Sequence, residues 1–589
     1  MFERAAEVPS WRPVTSLPSL ADEPWISADV ETTGVDVVHD KPVGLALHLP
    51  LRDKSYYLPW GHRGGGNLDP ALVQRWAQAE LRDKDLVGLN EKFEHHMFLN
   101  WGVDLEAQGC HFHDVAHQAP LLDEARRKYN LNDLALEHLG EGKLQVPTGI
   151  DQAHELPASV VGPYAERDAE LAWRLHVLFG PAIEAEGLGD VLELEDALIP
   201  AVVRMERQGV RLDLPKLERW HREVRARHDQ RVLEIWQATK LRVNPNSPQD
   251  LKKLFGHLGL EWAADYTETY LRTLNHPVVN LVIEARQLDS LDTKYLAKYL
   301  KAVDADGVLH YSLHQLRTDE HGTVTGRFSS GGRHKVNIQQ VFKEDRQDEV
   351  LQDWIVRELF LPPAGLTWVK ADASQIEFRL FAHYSKSRRL IDKYNQDPDA
   401  DFHRLVAEIC SIPRTPAKNI NFGKVFGMGR LKMHLQMQEY GLKYLKKQFR
   451  DDEVDAMFDR YDAEIPEVRR LMNQVMQVAA RRGYVKTILG RRRRFPAEAN
   501  GSRPRLHAAL NAVIQGSAAD LLKLKLLAVD EARHTLGYHP MFTVHDELDG
   551  GLEDPAQAAT LKALLDEPAV PLRVPITWDV KVGENWRLG

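Results

Sequence analysis

Four side chains in one segment recur at every fourth position, the spacing that places them on one broad face of a helix: Arg414, Lys418, Phe422 and Phe426. Two cations begin this face and two aromatic rings follow. Because a helix N-terminus also attracts phosphate through its free N–H groups and its dipole, the face fits a ligand with a triphosphate at one end and a flat base at the other. The alternative is an amphipathic surface helix with solvated Arg and Lys and two core Phe.

The wider pattern of the segment is Arg, three residues, Lys, three residues, Phe-Gly, and then an aromatic residue and Gly. It resembles the fingers helix of family A DNA polymerases, the DNA polymerase I type. Phe426 stands where that family usually has Tyr, so the ring is kept and the hydroxyl is lost. Phe422 occupies the position that governs acceptance of dideoxynucleotides, and its identity implies discrimination against them.

The size and composition of the chain restrict its class. A chain of 589 residues is too long for one compact core, and its length predicts roughly three to four domains. It is 43% hydrophobic and 28% charged, as soluble globular proteins are. No apolar run approaches the ~20 residues of a membrane span, and no secretory signal is evident. The two cysteines, Cys110 and Cys410, lie far apart in the sequence, which indicates a reducing cytoplasm and no disulfide framework.

The net charge of −10 is unexpected for a protein that binds nucleic acid, but a local basic surface decides such binding. One region combines nine cations with a single acid, Glu498: Arg481, Arg482, Lys486, Arg491, Arg492, Arg493, Arg494, Arg503 and Arg505. A second basic stripe follows helical spacing beside Tyr295 and Tyr299: Lys294, Lys298 and Lys301. Both could be solvated faces, but because they flank carboxylate motifs we predict a track for a phosphate backbone.

Carboxylates also cluster near the N-terminus. Residues 25–34 are typical of a strand that runs into a glycine turn, and Asp29 and Glu31 share one face of it. Neighbouring carboxylates repel each other unless a cation joins them, which indicates a divalent metal site. Farther along, Tyr164 and Asp168 lie one helical turn apart and add a phenol and a third carboxylate.

These two segments resemble the first and third motifs of DnaQ-like 3′–5′ exonucleases, and Asn90-Glu-Lys-Phe-Glu94 resembles the second. Glu94 stands where that family has Asp, so its carboxylate lies one methylene farther out. Two-metal hydrolysis is sensitive to small displacements of the metals, so Glu94 could reduce the rate of 3′–5′ hydrolysis. The resemblance implies a folded exonuclease domain in which Tyr164 positions a water and four carboxylates bind the metals: Asp29, Glu31, Glu94 and Asp168.

Two further segments surround the opening helix. Residues 368–379 are typical of a strand that ends at Asp372 and is followed by a helix. Residues 542–548 are typical of two apolar runs that meet at a hairpin tip. The alternative for the tip is a solvent-exposed turn. Adjacent acids in an apolar strand context are costly to bury without a cation. Asp372 and Asp546 therefore predict two Mg²⁺ ions, with Mn²⁺ as a substitute, that activate a primer 3′-hydroxyl and neutralise the leaving pyrophosphate.

In order and spacing, these segments resemble motifs A, B and C of family A polymerases. The resemblance implies that Asp372 and Asp546 are the metal ligands and that Glu547 is the neighbouring acid of motif C. Glu377 matches the residue that blocks a ribose 2′-hydroxyl. Three cations or potential cations are expected to hold the triphosphate: His403, Arg414 and Lys418.

The contacts to DNA follow from the same resemblance. Residues 325–330 and 337–340 resemble the segment that touches the primer terminus and the minor groove, and residues 511–520 resemble a template-contacting helix. His507 stands where the family often has Arg. Minor-groove acceptors are shared by all base pairs, so such contacts check pair shape without reading sequence. The expected DNA-binding residues are Arg327, Asn337, Gln340, Asn511, Gln515 and His545.

The resemblance covers nearly the whole chain and implies an α/β and α+β multidomain fold, with an RNase H-like exonuclease domain before a right-hand polymerase. No 5′-nuclease domain fits in front of Asp29, and no Gly-x-x-x-x-Gly-Lys-Ser/Thr motif for ATP is present. The expected parts are an exonuclease domain at 1–185 and a polymerase domain at 186–589, with the thumb at about 210–310, the palm at about 311–385 and 501–589, and the fingers at about 386–500.

The predicted activity is template-directed DNA synthesis with 3′–5′ editing. The alternatives are an exonuclease with a C-terminal region that grips DNA, and a non-catalytic scaffold. The expected partners are primer–template DNA and dNTPs, with replisome proteins as further candidates. We expect a monomer in the bacterial cytoplasm, including that of a phage-infected host, where the enzyme serves replication or repair.

Overall fold

The computed structural model describes residues 11–144, 150–261, 266–332, 336–341, 349–425, 427–441 and 448–588. Phe426 lies outside these ranges. The described chain is a mixed α/β protein with an N-terminal sheet, a long helical section and a second, antiparallel sheet near the C-terminus.

The N-terminal part contains a mixed five-stranded sheet with flanking helices. Its spatial order is β3-β2-β1-β4-β5; β2 runs antiparallel to β1 and β3, whereas β4 and β5 run parallel to β1. Its elements are β1 (Trp25–Thr32), β2 (Pro42–Leu49), β3 (Lys54–Pro59), α1 (Pro70–Glu80), β4 (Asp85–Gly88), α2 (Glu91–Asn100), β5 (His111–Asp114), α3 (Val115–Leu122), α4 (Leu131–Leu139) and α5 (Ala158–Glu186).

The sequence accounts for the central position of β1. Ile26, Ala28 and Val30 alternate along it and are buried, because strand side chains point to opposite faces in turn. Strands on both sides and helices against the sheet cover this strand, so carboxylates at its C-terminal end lie at the rim of a rigid core.

A helical section follows, with two long helices, α8 and α11, packed against each other. Asp213 caps α8 by accepting a hydrogen bond from the Lys216 amide (3.0 Å). A π-helical turn, Asp292–Leu296, joins α11 to α12. The elements are α6 (Gly189–Ala197), α7 (Ile199–Gln208), β6 (Val210–Leu212), α8 (Leu214–Thr239), α9 (Pro248–Leu258), α10 (Glu268–Thr273), α11 (Pro277–Leu291), α12 (Ala297–Ala302), β7 (Val308–Leu309), β8 (Ser312–His314) and β9 (Ser329–Gly331).

A second helical section separates the strands of the C-terminal sheet along the chain. It starts after two strands, β10 (Phe360–Leu361) and β11 (Thr367–Ala373), and ends in a short hairpin. The elements are α13 (Ile376–Ser385), α14 (Arg388–Gln396), α15 (Phe402–Cys410), α16 (Arg414–Val425), α17 (Arg430–Tyr440), α18 (Asp451–Glu464), α19 (Pro466–Arg482), β12 (Tyr484–Lys486) and β13 (Arg492–Arg494).

The C-terminal sheet is four-stranded and antiparallel, in the order β14-β15-β11-β16. Trp368 and Trp586 are fully buried against it, which makes the sheet a stiff platform. The remaining elements are α20 (Ala509–Glu531), α21 (Arg533–Leu536), β14 (Tyr538–Val544), β15 (Glu547–Leu552), α22 (Ala558–Asp566) and β16 (Trp578–Gly583).

The structure corrects one part of the predicted basic track, the four arginines from Arg491 to Arg494, whereas Arg481, Arg482 and Arg505 are exposed. Arg491 is buried between Glu195 (2.6 Å) and Asp520 (2.8 Å), and the three arginines of β13 pair with Glu124 or Glu186. A buried guanidinium needs a carboxylate partner, so these arginines join the N-terminal and C-terminal parts of the chain instead of forming a free phosphate surface. In the second stripe, Tyr295 and Tyr299 are buried in the core, whereas Lys294 and Lys301 are exposed.

Candidate active sites

A cavity of ≈ 670 Å³ opens at the C-terminal end of β1. Strand β1, helix α2 and helix α5 each contribute side chains to its wall. All five residues predicted for the exonuclease line it: Asp29, Glu31, Glu94, Tyr164 and Asp168. The structure therefore brings together side chains that are far apart in the sequence.

The carboxylates of this cavity repel one another. Burial and then Asp168 raise the pKa of Asp29 to about 7, and burial and then Asp29 raise the pKa of Glu31 to about 8. Burial, followed by the charge of Asp29, raises the pKa of Glu94 well above its usual value. Such a cluster is more stable when a cation neutralises it.

Glu94 is held by the neighbouring strand. One carboxylate oxygen, Oε2, accepts a hydrogen bond from the backbone N–H of Val30 (2.9 Å). Asn90, immediately before α2, adopts a left-handed conformation (φ 78°), a geometry that Asn tolerates better than most residues. The longer Glu side chain is thus anchored to β1, between Asp29 and Glu31.

The donor set of this cavity fits a divalent cation. Oδ1 of Asp168 is buried and has no hydrogen-bond partner among the described residues, an arrangement that a bound metal would satisfy. Carboxylate oxygens are also the ligands that Mg²⁺ and Mn²⁺ prefer.

A segment from the C-terminal part closes one side of the same cavity. The lining includes Ser312, His314 and Arg317. The Asp319 carboxylate accepts hydrogen bonds from the Tyr129 amide and from Asn130 Nδ2 (2.9 Å). The two parts of the chain thus share this site.

The second carboxylate site lies on the C-terminal sheet. Asp372 is on β11, opposite Glu547 of β15. Asp546 lies in the tight turn between β14 and β15, and its backbone carbonyl accepts a hydrogen bond from the Ala373 amide (2.9 Å). The predicted hairpin is confirmed, and it places Asp372 and Asp546 on neighbouring strand ends. Both are half-buried and both offer the hard oxygen ligands that fit Mg²⁺.

Glu547 occupies a different environment from its neighbour Asp546. It is fully buried, and its Oε1 accepts hydrogen bonds from Arg357 (3.1 Å) and from Trp586 Nε1 (2.8 Å). A buried carboxylate held in this way supports the strand beneath the site. Its predicted catalytic role remains a prediction, and the contacts favour a supporting one.

Helix α16 confirms the helix predicted from the four-residue spacing. Its buried face includes Ala417, Ile420 and Asn421, whereas Arg414 is exposed and Lys418 and Phe422 are half-buried. The predicted ligand face is therefore not the core face. Arg414 Nε donates to Asp401 (2.6 Å), and no described carboxylate pairs with Lys418.

His403 packs behind this face. It is 2% exposed, and its ring contacts those of Phe378 and Phe422 at centroid distances of 4.8 and 5.4 Å. Burial lowers the pKa of His403 to about 4. The imidazole is therefore neutral near pH 7 and would act as a hydrogen-bonding group rather than as a cation toward a phosphate.

Two predicted residues with separate roles form one pair. A guanidinium nitrogen of Arg327 donates to Oε1 of Glu377 in the first turn of α13. Burial raises the pKa of Glu377, and the charge of Arg327 opposes that shift. Oε2 of Glu377 is buried without a hydrogen-bond partner among the described residues.

The remaining predicted DNA contacts lie around the hairpin tip. Asn337 caps a short 3₁₀ helix, and the exposed Gln340 ends it. Between them, Gln339 accepts a hydrogen bond from the His545 amide (3.3 Å) and donates to the Thr543 carbonyl. His545 is exposed, in a left-handed conformation (φ 60°).

Helix α20 carries the two predicted template contacts, Asn511 and Gln515, both half-buried. Gly516 lets the Thr325 segment approach this helix: an added Cβ would lie 2.5 Å from Thr487 and 3.3 Å from the Thr325 carbonyl oxygen. The two segments that the sequence predicts to contact primer and template thus pack closely against each other.

Comparisons with known proteins decide the family. The family model described as DNA polymerase family A matches residues 214–588. The chain belongs to DNA polymerase family A. It is 30% identical to a protein named DNA polymerase DpoZ from Acinetobacter phage SH-Ab 15497, over 97% of this chain and 98% of that one.

More distant relatives agree with this assignment. The polymerase is 28% identical to DNA polymerase I of Pseudomonas aeruginosa, over 97% of this chain and 64% of that one. A solved structure described as the POL domain of Pol1 from M. smegmatis in complex with DNA primer–template and dNTP has the same fold, with a TM-score of 0.80, 23% identity, and coverage of 96% of this chain and 97% of that one. The chain is therefore a DNA-directed DNA polymerase, and its fold has the predicted right-hand architecture.

Sequence reasoning missed several residues that shape the two sites. Lys143 lines the N-terminal cavity, Gln339 holds the hairpin tip, and Asp401 orients Arg414. Each of these residues acts through a contact with a residue distant in the chain or lies in an irregular segment. The spacing of residues in the sequence therefore could not identify them. In the described part of the polymerase, no helix has the length and apolar character of a membrane span.

Proposed function

We propose that the polymerase extends a DNA primer with dNTPs at Asp372 and Asp546, and that it removes mismatched 3′ ends at the N-terminal cavity. The observation that carries the first part is the placement of Asp372 and Asp546 on adjoining strand ends of one antiparallel sheet. Two divalent ions bound there, Mg²⁺ or Mn²⁺, would activate the primer 3′-hydroxyl and neutralise the leaving pyrophosphate.

The protein side chains around this point have separate tasks. Lys418 and Arg414 offer cations to the triphosphate, and Arg414 is directed by Asp401. Glu377, held by Arg327, presents a buried carboxylate that would exclude a ribose 2′-hydroxyl. Phe422 offers its ring to the sugar and base. From its position in the sequence motif, we propose Phe426 as a further nucleotide-binding residue.

Changing Phe422 to Tyr tests the placement of the incoming sugar. The added hydroxyl would supply a hydrogen bond that a dideoxynucleotide lacks, because its own 3′-hydroxyl is missing. We expect the preference for dNTP over ddNTP, measured as a ratio of kcat/KM values in single-nucleotide extension, to fall by at least about tenfold.

A matched control is Phe458→Tyr, since Phe458 is another half-buried ring of this helical section that packs beside Lys424. This control should leave the ratio unchanged. An unchanged ratio in Phe422→Tyr itself would remove Phe422 from the sugar site.

The exonuclease proposal rests on the convergence of four carboxylates and Tyr164 on one cavity. Phosphodiester hydrolysis needs a positioned water and neutralisation of the charge that develops on the phosphate. Tyr164 lies one helical turn from Asp168, so its phenol can orient such a water. Glu94, anchored to the Val30 amide, takes the place of the shorter acid usual in such sites.

We expect Asp29→Ala to lower hydrolysis of a 3′-mismatched primer by at least about 10²-fold, since misplacing a metal by 1 Å can cost that much. The measurement is release of the terminal nucleotide from a labelled primer without dNTPs. Asp53→Asn, an exposed acid in the turn after β2, is the control and should retain full hydrolysis. Equal hydrolysis by Asp29→Ala and the unaltered chain would refute the proposal.

We also propose primer–template DNA and dNTPs as the partners of this enzyme, acting as a monomer in the cytoplasm of a bacterial host. The named phage and bacterial relatives support this setting. We assign Asn337, Gln340, Asn511, Gln515 and His545 to contacts with the DNA duplex. Replisome proteins are further candidate partners.

A further inference from the structure

Lys143 reaches into the proposed exonuclease cavity from the loop after α4. Its ammonium nitrogen lies 2.5 Å from Oδ2 of Asp168 and 4.8 Å from the centre of the Tyr164 ring. The Asp168 side chain is 3% exposed and that of Lys143 is 24% exposed. The contact is therefore an ion pair at the wall of the cavity, with the Asp168 carboxylate buried and the Lys143 side chain partly exposed.

Two other cations near the cavity, Lys92 and Arg167, have carboxylate partners outside the cluster. Lys92 donates to Glu206 (2.6 Å) and to the Leu313 carbonyl (2.7 Å). Arg167, one residue before Asp168, pairs with Glu141 and Glu170. Among the residues that the structure describes, Lys143 is the cation that forms an ion pair with one of the four carboxylates of the cavity, that of Asp168.

The backbone of Lys143 is fixed while its side chain is long and unbranched. The Lys143 amide donates to the Asn132 side chain (3.0 Å), and Gly140 ends α4 in a left-handed conformation (φ 74°). A lysine ammonium on four methylenes can leave one carboxylate for water without any movement of the main chain.

The same carboxylate is needed by a metal. Asp168 has one oxygen on Lys143 and one buried oxygen without a hydrogen-bond partner among the described residues. A divalent ion bound to Asp168 would lie within a few ångströms of the ammonium, where like charges repel strongly in a partly buried site. The ammonium and the metal therefore compete for this acid.

We propose that Lys143 is a built-in counter-ion of the exonuclease site, which stabilises the metal-free carboxylate cluster and is displaced from Asp168 when a divalent metal binds. This inference rests on the proposed exonuclease site. The Lys143 ammonium lowers the affinity of the exonuclease site for divalent metal below that of its four acids alone. Editing therefore requires a higher concentration of free divalent metal than it would without Lys143.

Mn²⁺ binding to the full chain tests this competition. Asp372→Asn with Asp546→Asn serves as the parent, so that the polymerase site does not contribute. Free Mn²⁺ is followed by electron paramagnetic resonance during titration. We expect Lys143→Met in this parent to bind Mn²⁺ at the exonuclease site about tenfold more tightly, whereas Lys143→Arg, which keeps the charge, should stay near the parent value.

Thermal unfolding gives a second, independent readout. Without metal, Lys143→Met should melt at a lower temperature than the parent, because the carboxylates lose their counter-ion. With saturating Mn²⁺ this difference in melting temperature between Lys143→Met and the parent should disappear or reverse, since a ligand that binds the folded state more tightly stabilises it more. A variant that simply folds poorly would melt lower under both conditions and would overturn the proposal.

The outcomes separate the two claims. If the parent binds Mn²⁺ at a site that Asp29→Ala removes, but Lys143→Met binds with equal or lower affinity, the counter-ion inference is wrong and the exonuclease site stands. If no Mn²⁺ binding depends on Asp29, both the proposed exonuclease site and the inference fail.

Discussion

Replacing Asp372 with asparagine is expected to lower templated primer extension by at least about 10³-fold, because at the proposed polymerase site it removes a metal-binding charge, and stabilisation of the transition state by a bound metal is worth several kcal/mol. The amide has the shape of the carboxylate, so the antiparallel pairing of β11 with β15 and β16 should persist. Extension of a matched primer with one dNTP under single-turnover conditions measures the effect.

Two controls define the result. Glu584→Gln, an exposed acid just after β16, should leave extension unchanged. Asp372→Asn itself should retain hydrolysis of a mismatched 3′ end, because the N-terminal cavity is built from other strands and helices. Extension at the original rate would exclude Asp372 as a metal ligand.

The largest expected effect on stability follows from replacing Glu195 with alanine. Glu195 is fully buried and accepts hydrogen bonds from Lys523 (2.7 Å) and Arg491 (2.6 Å). Truncating one member of a buried ion network leaves uncompensated charges, which costs about 3–5 kcal/mol. Urea unfolding monitored by tryptophan fluorescence should show a correspondingly lower midpoint.

Glu193 supplies the matched control for this substitution. It lies on the same helix, α6, but is exposed, so Glu193→Ala should change stability by no more than about 0.5 kcal/mol. A Glu195→Ala midpoint equal to that of the control would show that the network does not hold the two parts of the chain together.

The same network predicts a pH dependence. Burial alone would raise the pKa of Glu195, but Lys523 and Arg491 lower it to about 2 in the folded protein, against 4.5 for the free side chain. The stabilisation by Glu195 is therefore complete above about pH 4.5 and is lost as the pH falls toward 2. The difference in stability between the unaltered chain and Glu195→Ala should shrink across that range.

Local sequence patterns predicted the elements that carry chemistry. The four-residue spacing from Arg414 gave helix α16, and the alternation around Asp29 gave β1. The hairpin tip at residues 545–546 was predictable because acids separate two apolar runs there, and these runs form β14 and β15 in the structure. Such signals are readable because helix and strand periodicity depends on neighbours in the chain.

The same reasoning failed where charges meet across the chain. The arginines from Arg491 to Arg494 read as a phosphate track, but their partners, such as Glu124 and Glu195, lie hundreds of positions earlier. Packing against these acids made the four arginines part of an ion network between distant segments of the chain. A pattern of like charges cannot reveal this, because the cost of burying a charge depends on what packs against it.

The sequence by itself determined the helix that carries the proposed nucleotide-binding face, the strands that carry the acids, and the resemblance to family A polymerases. Only the tertiary structure decided which charges are available to a ligand. Lys418 has no described carboxylate partner, Arg327 is paired with Glu377, and Lys143 occupies Asp168. The reason is physical: periodicity is set within a few residues, whereas the environment of a charge is set by every element that folds around it.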